Sequence, residues 1–244
     1  MKTLVVPDVH VPFHSVQAEK KLHELIKKKK PDKIIFLGDV ADLHSLTVHR
    51  QDPNWMDKLE VELESVRKYL EGVRRKAGNK CEIIYIKGNH EDRWDRTVQG
   101  RMPVMRMIGV SLPRFLELNQ PELNIKWVED AGKTPVWTPT GKNKRVRFMH
   151  GHEIKGGSMF PARHALKIGR LLGCNIHIGH THKWGVMCFT LPRVGDCFAI
   201  EGGLVADKSK AGMHYAFPQS DWVMAYALYD SKNNDSPLPT FYTI

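Results

Sequence analysis

Five times along this chain a short apolar run rich in β-branched residues ends in glycine, aspartate or histidine, and that recurrence constrains the fold more than any other feature. Residues 3–6 lead into Asp8-Val9-His10, and residues 33–37 into Gly38-Asp39. Residues 82–87 lead into Gly88-Asn89-His90-Glu91, residues 145–149 into His150, and residues 175–178 into Gly179-His180-Thr181-His182. Short apolar runs of this kind read as buried strands. Between the first two lies the lysine-rich stretch 17–31, which fits one helix, so the chain opens as a βαβ unit. Parallel strands need such a crossover, and in open α/β sheets the loops beyond the carboxyl ends of the strands share one crevice. Asp8, His10 and Asp39 thereby become neighbours.

The third strand follows the best-defined helix of the chain. Leu59, Leu63, Val66, Leu70 and Val73 recur every three or four residues, with the charged residues of 57–71 around them, giving one apolar stripe. Pro53 and Asn54 mark its start and Gly78 its end. A further helix is expected over 161–172. Beyond the last histidine run, 186–190, 197–201 and 222–229 read as strands of a second, largely antiparallel sheet, with Gly202-Gly203 ending one of them.

Taken singly, most of the polar runs have plainer readings. An Asp-x-His is often loop polarity, Gly38-Asp39 could be a turn, Asn89 could cap a helix, and His150 could be a hydrogen-bonded core histidine. On an extended backbone, however, Asp8 and His10 point to one side, as do His180 and His182. The same arrangement five times over among 13 histidines makes the set a metal site. Carboxylate, imidazole and one amide oxygen suit Mn, Fe, Zn, Co or Ni better than an all-oxygen calcium or magnesium site. One aspartate can bridge two ions roughly 3.5–4 Å apart, of which one generates hydroxide while both stabilise phosphoryl charge. Asp39 is the expected bridge.

With these residues the chain resembles the calcineurin-like metallophosphoesterases, most of all their phage and bacterial phosphodiesterase and DNA-exonuclease-like branches; the likeness spans residues 1–204. The resemblance implies a four-layer α/β/β/α sandwich with mixed sheets and a dinuclear centre. Asp8, His10, Asp39 and His182 would hold one metal, and Asp39, Asn89, His150 and His180 the other. It gives His90 the part of leaving-group acid or phosphate-oxygen donor. Members act as protein phosphatases, cyclic-nucleotide phosphodiesterases, nucleotide pyrophosphatases and exonucleases. His152, beside His150, is a departure from the common pattern: it could bind phosphate, replace His150 as ligand or face solvent, and His150 is preferred because it ends the strand. Arg93 could hold a phosphate oxygen, Glu91 could pair with Arg93 or open a helix, and Asp42 could orient a ligand histidine.

At 244 residues, 41% of them hydrophobic, the chain suits one catalytic domain over 1–244. The stretch 99–144 is the least family-like and is expected to be an insertion that selects substrate, or else a peripheral helix packed through Met105, Met107, Phe115 and Leu118. No apolar stretch is of membrane-spanning length, and no signal-peptide core follows Met1. Cys81, Cys174, Cys188 and Cys197 are expected as buried free thiols, and the setting as cytoplasmic. Residues 206–218, with Lys208, Lys210 and His214, read as a surface loop near the site, and 231–239 as a weakly ordered tail.

Charge points to the partner. With 37 basic and 27 acidic residues the net charge is +10, which attracts polyanions. Basic residues gather at Lys20-Lys21, 27–30, Arg74-Arg75-Lys76 and 142–147, and Arg163, Lys167 and Arg170 fall on one helix face. Trp184 could stack a base or belong to the core. The expected activity is therefore manganese-dependent hydrolysis of DNA or RNA phosphodiesters by metal-activated hydroxide. The alternatives are a phosphomonoesterase, protein phosphatase or small-molecule phosphodiesterase, and a binding protein without turnover. Monomer and homodimer are both open.

Overall fold

The computed structural model describes residues 1–47, 58–100, 102–140, 144–156, 159–210, 222–232 and 237–244. Its first part runs β1 (Lys2–Val6), α1 (Val16–Lys29), β2 (Lys33–Phe36), α2 (Leu59–Ala77) and β3 (Glu82–Ile86). The short helices α3 (Asp92–Trp94), α4 (Pro103–Met107) and α5 (Leu112–Phe115) precede β4 (Ile125–Val128), β5 (Val136–Pro139) and β6 (Arg145–Met149). Then come α6 (Arg163–Leu172), β7 (Asn175–Ile178), β8 (Trp184–Leu191), β9 (Gly195–Gly202), β10 (Ala225–Asp230) and β11 (Thr240–Thr243).

Local chemistry sets the helix ends. The Ser15 hydroxyl oxygen accepts the Ala18 N–H at 3.2 Å and starts α1; Lys27, Lys28 and Lys29 crowd its negative end, and Pro31 follows. In α2 the predicted stripe is buried at Leu63, Val66, Leu70 and Val73, with Tyr69 added, while Leu59 is half-buried at the first turn. Each such side chain contributes about 1.5–3 kcal/mol on leaving water. Gly78 ends the helix as expected, and Pro53 and Asn54 lie outside the described residues.

The first sheet has the order β11-β10-β1-β2-β3-β4, with β1 to β4 mutually parallel and β10 antiparallel to β1. The second has the order β5-β6-β7-β9-β8, in which β6, β7 and β9 are parallel and β5 and β8 are antiparallel edges. Both sheets are mixed. One expectation is corrected: the strand predicted over 222–229 belongs to the first sheet, with Leu228 opposite Leu4. The reason is its two apolar faces. Tyr226 and Leu228 enter the core beneath α1 and α2, whereas Ala227 and Tyr229 enter the core between the sheets.

Four layers follow from strand alternation. His177 of β7 points between the sheets, where its Nδ1 lies 2.9 Å from the Tyr229 hydroxyl. Its neighbour Ile176 points outward, where Gly169 of α6 comes so close that a methyl group there would sit 3.0 Å away. Helices α1 and α2 cover the first sheet and α6 covers the second, so the chain is an α/β/β/α sandwich.

The stretch 99–144 is built into this sandwich: β4 extends the first sheet and β5 edges the second. Leu118 is buried and Met105 half-buried, Phe115 rests on Trp94, and Met107 is 86% exposed. All four cysteines are free thiols, but only Cys81 and Cys197 are buried; Cys188 is exposed on the edge strand β8. Of the expected tail, 233–236 lie outside the described residues, and β11 pairs antiparallel with β10. Of the expected loop 206–218, the described part binds back through Lys210, whose Nζ donates to the carbonyls of Pro12 and His14, and His214 lies outside the described residues. No helix among the described residues is long and apolar enough to cross a membrane.

Candidate metal centre

The carboxyl ends of β1, β2 and β3 in one sheet and of β6 and β7 in the other meet at one edge of the sandwich. Their loops bring together Asp8, His10, Asp39, Asn89, His90, His150, His180 and His182. Three sets have one potential ligand atom from each member within 4.8 Å of the others: Asp8, His10 and His182; His10, Asp39 and His90; and Asp39, His150 and His180. Asp39 belongs to two of them. Asn89 completes the last set, its Oδ1 lying 2.9 Å from His150 Nε2 and 2.7 Å from His180 Nδ1.

How the loops aim these side chains differs from the expectation of extended segments. His10, Asp39, His180 and His182 all have positive φ, at 54°, 49°, 68° and 59°. Such left-handed backbone is uncommon away from glycine and collects at functional sites. As a result His180 and His182 do not share a face: they fall in different sets. Gly38 (φ 105°) and Gly88 allow the β2 and β3 loops to touch, since a methyl group on Gly38 would stand 2.6 Å from His150 Nδ1, and one on Gly88 would strike the Asp39 carboxylate.

These residues fit divalent cations. Both carboxylate oxygens of Asp8 are buried without a hydrogen-bond partner, a costly state for an acceptor of this kind. His10 Nε2 and His182 Nε2 converge to 3.0 Å, and His150 Nε2 stands 3.2 Å from Asp39 Oδ2. Asp8, His10, Asp39 and His150 are at most 1% exposed.

Electrostatics reflect the same crowding. Burial pushes Asp8 up to about 6 despite His150 beside it. Burial also works against charge on Asp39, but His150 and His90 overcome it and hold this carboxyl well below the usual range. Burial would lower His150, yet Asp39 and Asp8 raise it to about 10. His90 behaves alike, raised to about 9 by Asp39 and Asp42 against the effect of burial. Burial and the neighbouring His150 bring His180 down to about 3, while burial and His10 hold His182 well below its ordinary value, leaving both as neutral imidazoles.

A surrounding ring of partners fixes these groups. Asp42 Oδ2 lies 2.8 Å from His10 Nδ1, and the Leu37 carbonyl lies 2.8 Å from His150 Nδ1, which in each case leaves Nε2 to face the cluster. Glu91 opens α3 from the N-cap position, though its side chain makes no cap bond there, and Arg93 turns to Asp42 instead. The buried Glu91 carboxylate accepts the N–H groups of Asp39, Ala41 and Gly88 and the Tyr85 hydroxyl. Glu201, which the sequence reading placed only as a strand residue, accepts from the His164 and Ala165 N–H groups and from the Thr181 hydroxyl. An acidic residue inside an apolar strand was the signal available for it.

The remaining candidates divide. Arg93 Nη1 donates to the Asp42 carbonyl at 2.9 Å and Nη2 stands 3.2 Å from His90 Nε2, so this side chain is at the cluster. His152 is in none of the three sets; it is half-buried, with Nε2 3.5 Å from Asp92 Oδ2 and its ring 5.1 Å from that of His150. Trp184, half-buried, packs edge-on against the half-buried Phe241.

Among solved structures the chain is similar to YfcE, a phosphoesterase from E. coli, at 16% identity and a TM-score of 0.47 over all of both chains. It is also similar to the Zn-complexed Vps29 from Entamoeba histolytica (15% identity, TM-score 0.49, all of this chain and 98% of the other). A third likeness is to Vps29 from Chaetomium thermophilum (12%, 0.45, all of this chain and 95% of the other). No curated protein matches. The model of the calcineurin-like phosphoesterase family matches residues 1–184, and with that match the chain belongs to the calcineurin-like phosphoesterases.

Proposed function

We propose that the chain is a metal-dependent hydrolase of nucleic-acid phosphodiesters. Asp8, His10, Asp39 and His182 hold one divalent ion, and Asp39, Asn89, His150 and His180 hold the other. The observation that carries the reading is that Asp39 shares one ligand set with His10 and another with His150 and His180. Bound there, the ions supply positive charge for a phosphoryl group and a water that deprotonates near neutral pH. Manganese is favoured, and the mixed donors also accommodate Fe, Zn, Co or Ni.

The protein's own groups have distinct tasks. His90 Nδ1 lies 2.9 Å from the Asp42 carbonyl, which fixes the ring and leaves Nε2 toward Asp39. The ring is thereby placed beside Asp39 to act on a departing oxygen, the task assigned to His90. Arg93 Nη2 donates to His90 Nε2 at 3.2 Å, which brings a guanidinium to the edge of the cluster where an anionic phosphate oxygen would lie. His152, tied to Asp92, is a more distant phosphate contact. Support for nucleic acid comes from the net charge of +10 and from α6, where Arg163, Lys167 and Arg170 are all exposed on one face.

The test is hydrolysis of end-labelled single-stranded and duplex DNA, of bis(p-nitrophenyl) phosphate and of p-nitrophenyl phosphate by the Mn-loaded protein and by His90→Asn. Expected is DNA cleavage that falls by about 10²–10⁴ in the variant. Hydrolysis of the small esters alone would move the substrate to small phosphoesters, and no hydrolysis by metal-loaded protein would refute the enzyme reading.

A further inference from the structure

We propose that Phe160 and Arg163 form a lip beside the Asp39 cluster on which an unpaired base of a bound nucleic-acid strand stacks. This deepens, and rests on, the nucleic-acid reading above. Phe160 is 61% exposed and the preceding Met159 is 82% exposed, two large apolar side chains turned to water in succession. The Arg163 guanidinium stands over the Phe160 ring, 5.5 Å from its centre. An aromatic face with a cation against it is the arrangement that takes bases of any sequence, because every base presents a π-face and is followed by phosphate.

Its place in the molecule ties the lip to the site. The Met159 carbonyl accepts from Lys183 Nζ at 2.7 Å, and Lys183 directly follows His182. On the other side, His164, next to Arg163, has Nε2 3.0 Å from the carbonyl of Gly151, which directly follows His150. The segment is thus anchored to two loops that carry candidate ligands. From the lip, the exposed face of α6 continues through Lys167 and Arg170, whose charges suit the phosphates of a strand lying along the helix. Trp184, which the sequence left open between stacking and packing, rests edge-on against Phe241.

Binding is measured by fluorescence anisotropy with Mn present, in the His90→Asn background so that it is read without turnover. The probes are a labelled single-stranded oligodeoxynucleotide, a strand of equal length lacking its bases, and a duplex. Phe160→Ala is expected to weaken the base-bearing strand about tenfold and leave the abasic strand unchanged. Phe160→Trp is expected to restore binding, and Arg163→Gln to weaken both strands and lower the salt slope by about one. Equal binding of the base-bearing strand with Phe160 and with Ala overturns the lip, as does failure to bind any single strand. Cleavage of DNA by the wild type together with unchanged Phe160→Ala binding sinks the lip and leaves the nuclease reading. Phe160-dependent binding without cleavage upholds the lip and sinks that reading.

Discussion

The carboxylate of Glu91 accepts the backbone N–H of Asp39 at 3.0 Å, tying the loop after β2 to the loop after β3. The same side chain takes the Gly88 N–H at 2.7 Å, the Ala41 N–H at 3.0 Å and the Tyr85 hydroxyl at 2.6 Å, so one buried acid holds both loops. Glu91→Ala leaves three buried N–H donors without that acceptor. It is expected to cost about 3 kcal/mol or more and to weaken Mn binding, whereas Tyr85→Phe removes the hydroxyl's bonds to Glu91 and to the Ala41 N–H, which keeps Glu91 as acceptor, and costs about 1–2 kcal/mol. Urea denaturation of both variants tests this; equal stabilities would show that the loops are held by something else.

Gly88 and Gly179 are expected to tolerate no side chain. A methyl group would strike the Asp39 carboxylate from Gly88 and the Asp8 carboxylate from Gly179. Each Gly→Ala variant should keep its far-ultraviolet circular dichroism yet bind Mn about 10–100-fold more weakly, the usual scale for displaced ligand support. Affinity within twofold of the wild type would place the ligands elsewhere.

His177 sets a pH dependence of stability away from the cluster. Burial alone lowers it to about 3 in the folded chain, against about 6.5 in an unfolded one. Between these values the unfolded chain takes up a proton that the folded chain refuses, so stability falls as pH falls, by up to about 1.4 kcal/mol per pH unit. Replacing it, as in His177→Phe, should flatten the stability profile between about pH 6 and 4 by that amount. Urea midpoints measured across this range decide the matter, and an unchanged slope would mean that His177 titrates normally.

Thr181 is expected to matter for metal more than for folding. Its hydroxyl donates to Glu201 at 2.8 Å from between His180 and His182, while the other Glu201 oxygen accepts the first N–H groups of α6. Thr181→Val should cost about 1 kcal/mol of stability and weaken Mn binding about tenfold; Glu201→Ala, which also uncaps α6, should cost about 2 kcal/mol more. Calorimetric Mn titration beside thermal melts separates the two effects.

Much of this was legible in the chain because apolar runs and their polar ends lie close together in sequence. The strands before Asp8, Asp39, Gly88, His150 and Gly179 and the stripe of α2 come from local periodicity, and tertiary packing did not override them. Strand β10 was misplaced because its both-sided apolar pattern says that it is buried and not which sheet buries it. The left-handed backbone at His10, Asp39, His180 and His182 leaves no mark in composition, since it is imposed by contacts such as Glu91 with Asp39. Whether Trp184 stacks or packs was open in the sequence for a similar reason: Phe241, against which it packs, comes from the far end of the chain.

The most direct test is the number of Mn ions bound per chain by the wild type and by Asp39→Asn, from calorimetric titration checked by elemental analysis. Two ions for the wild type, with neither held at comparable affinity in Asp39→Asn, is the result expected of a pair built around one shared carboxylate. A single ion in the wild type, or two ions bound unchanged in the variant, would contradict it.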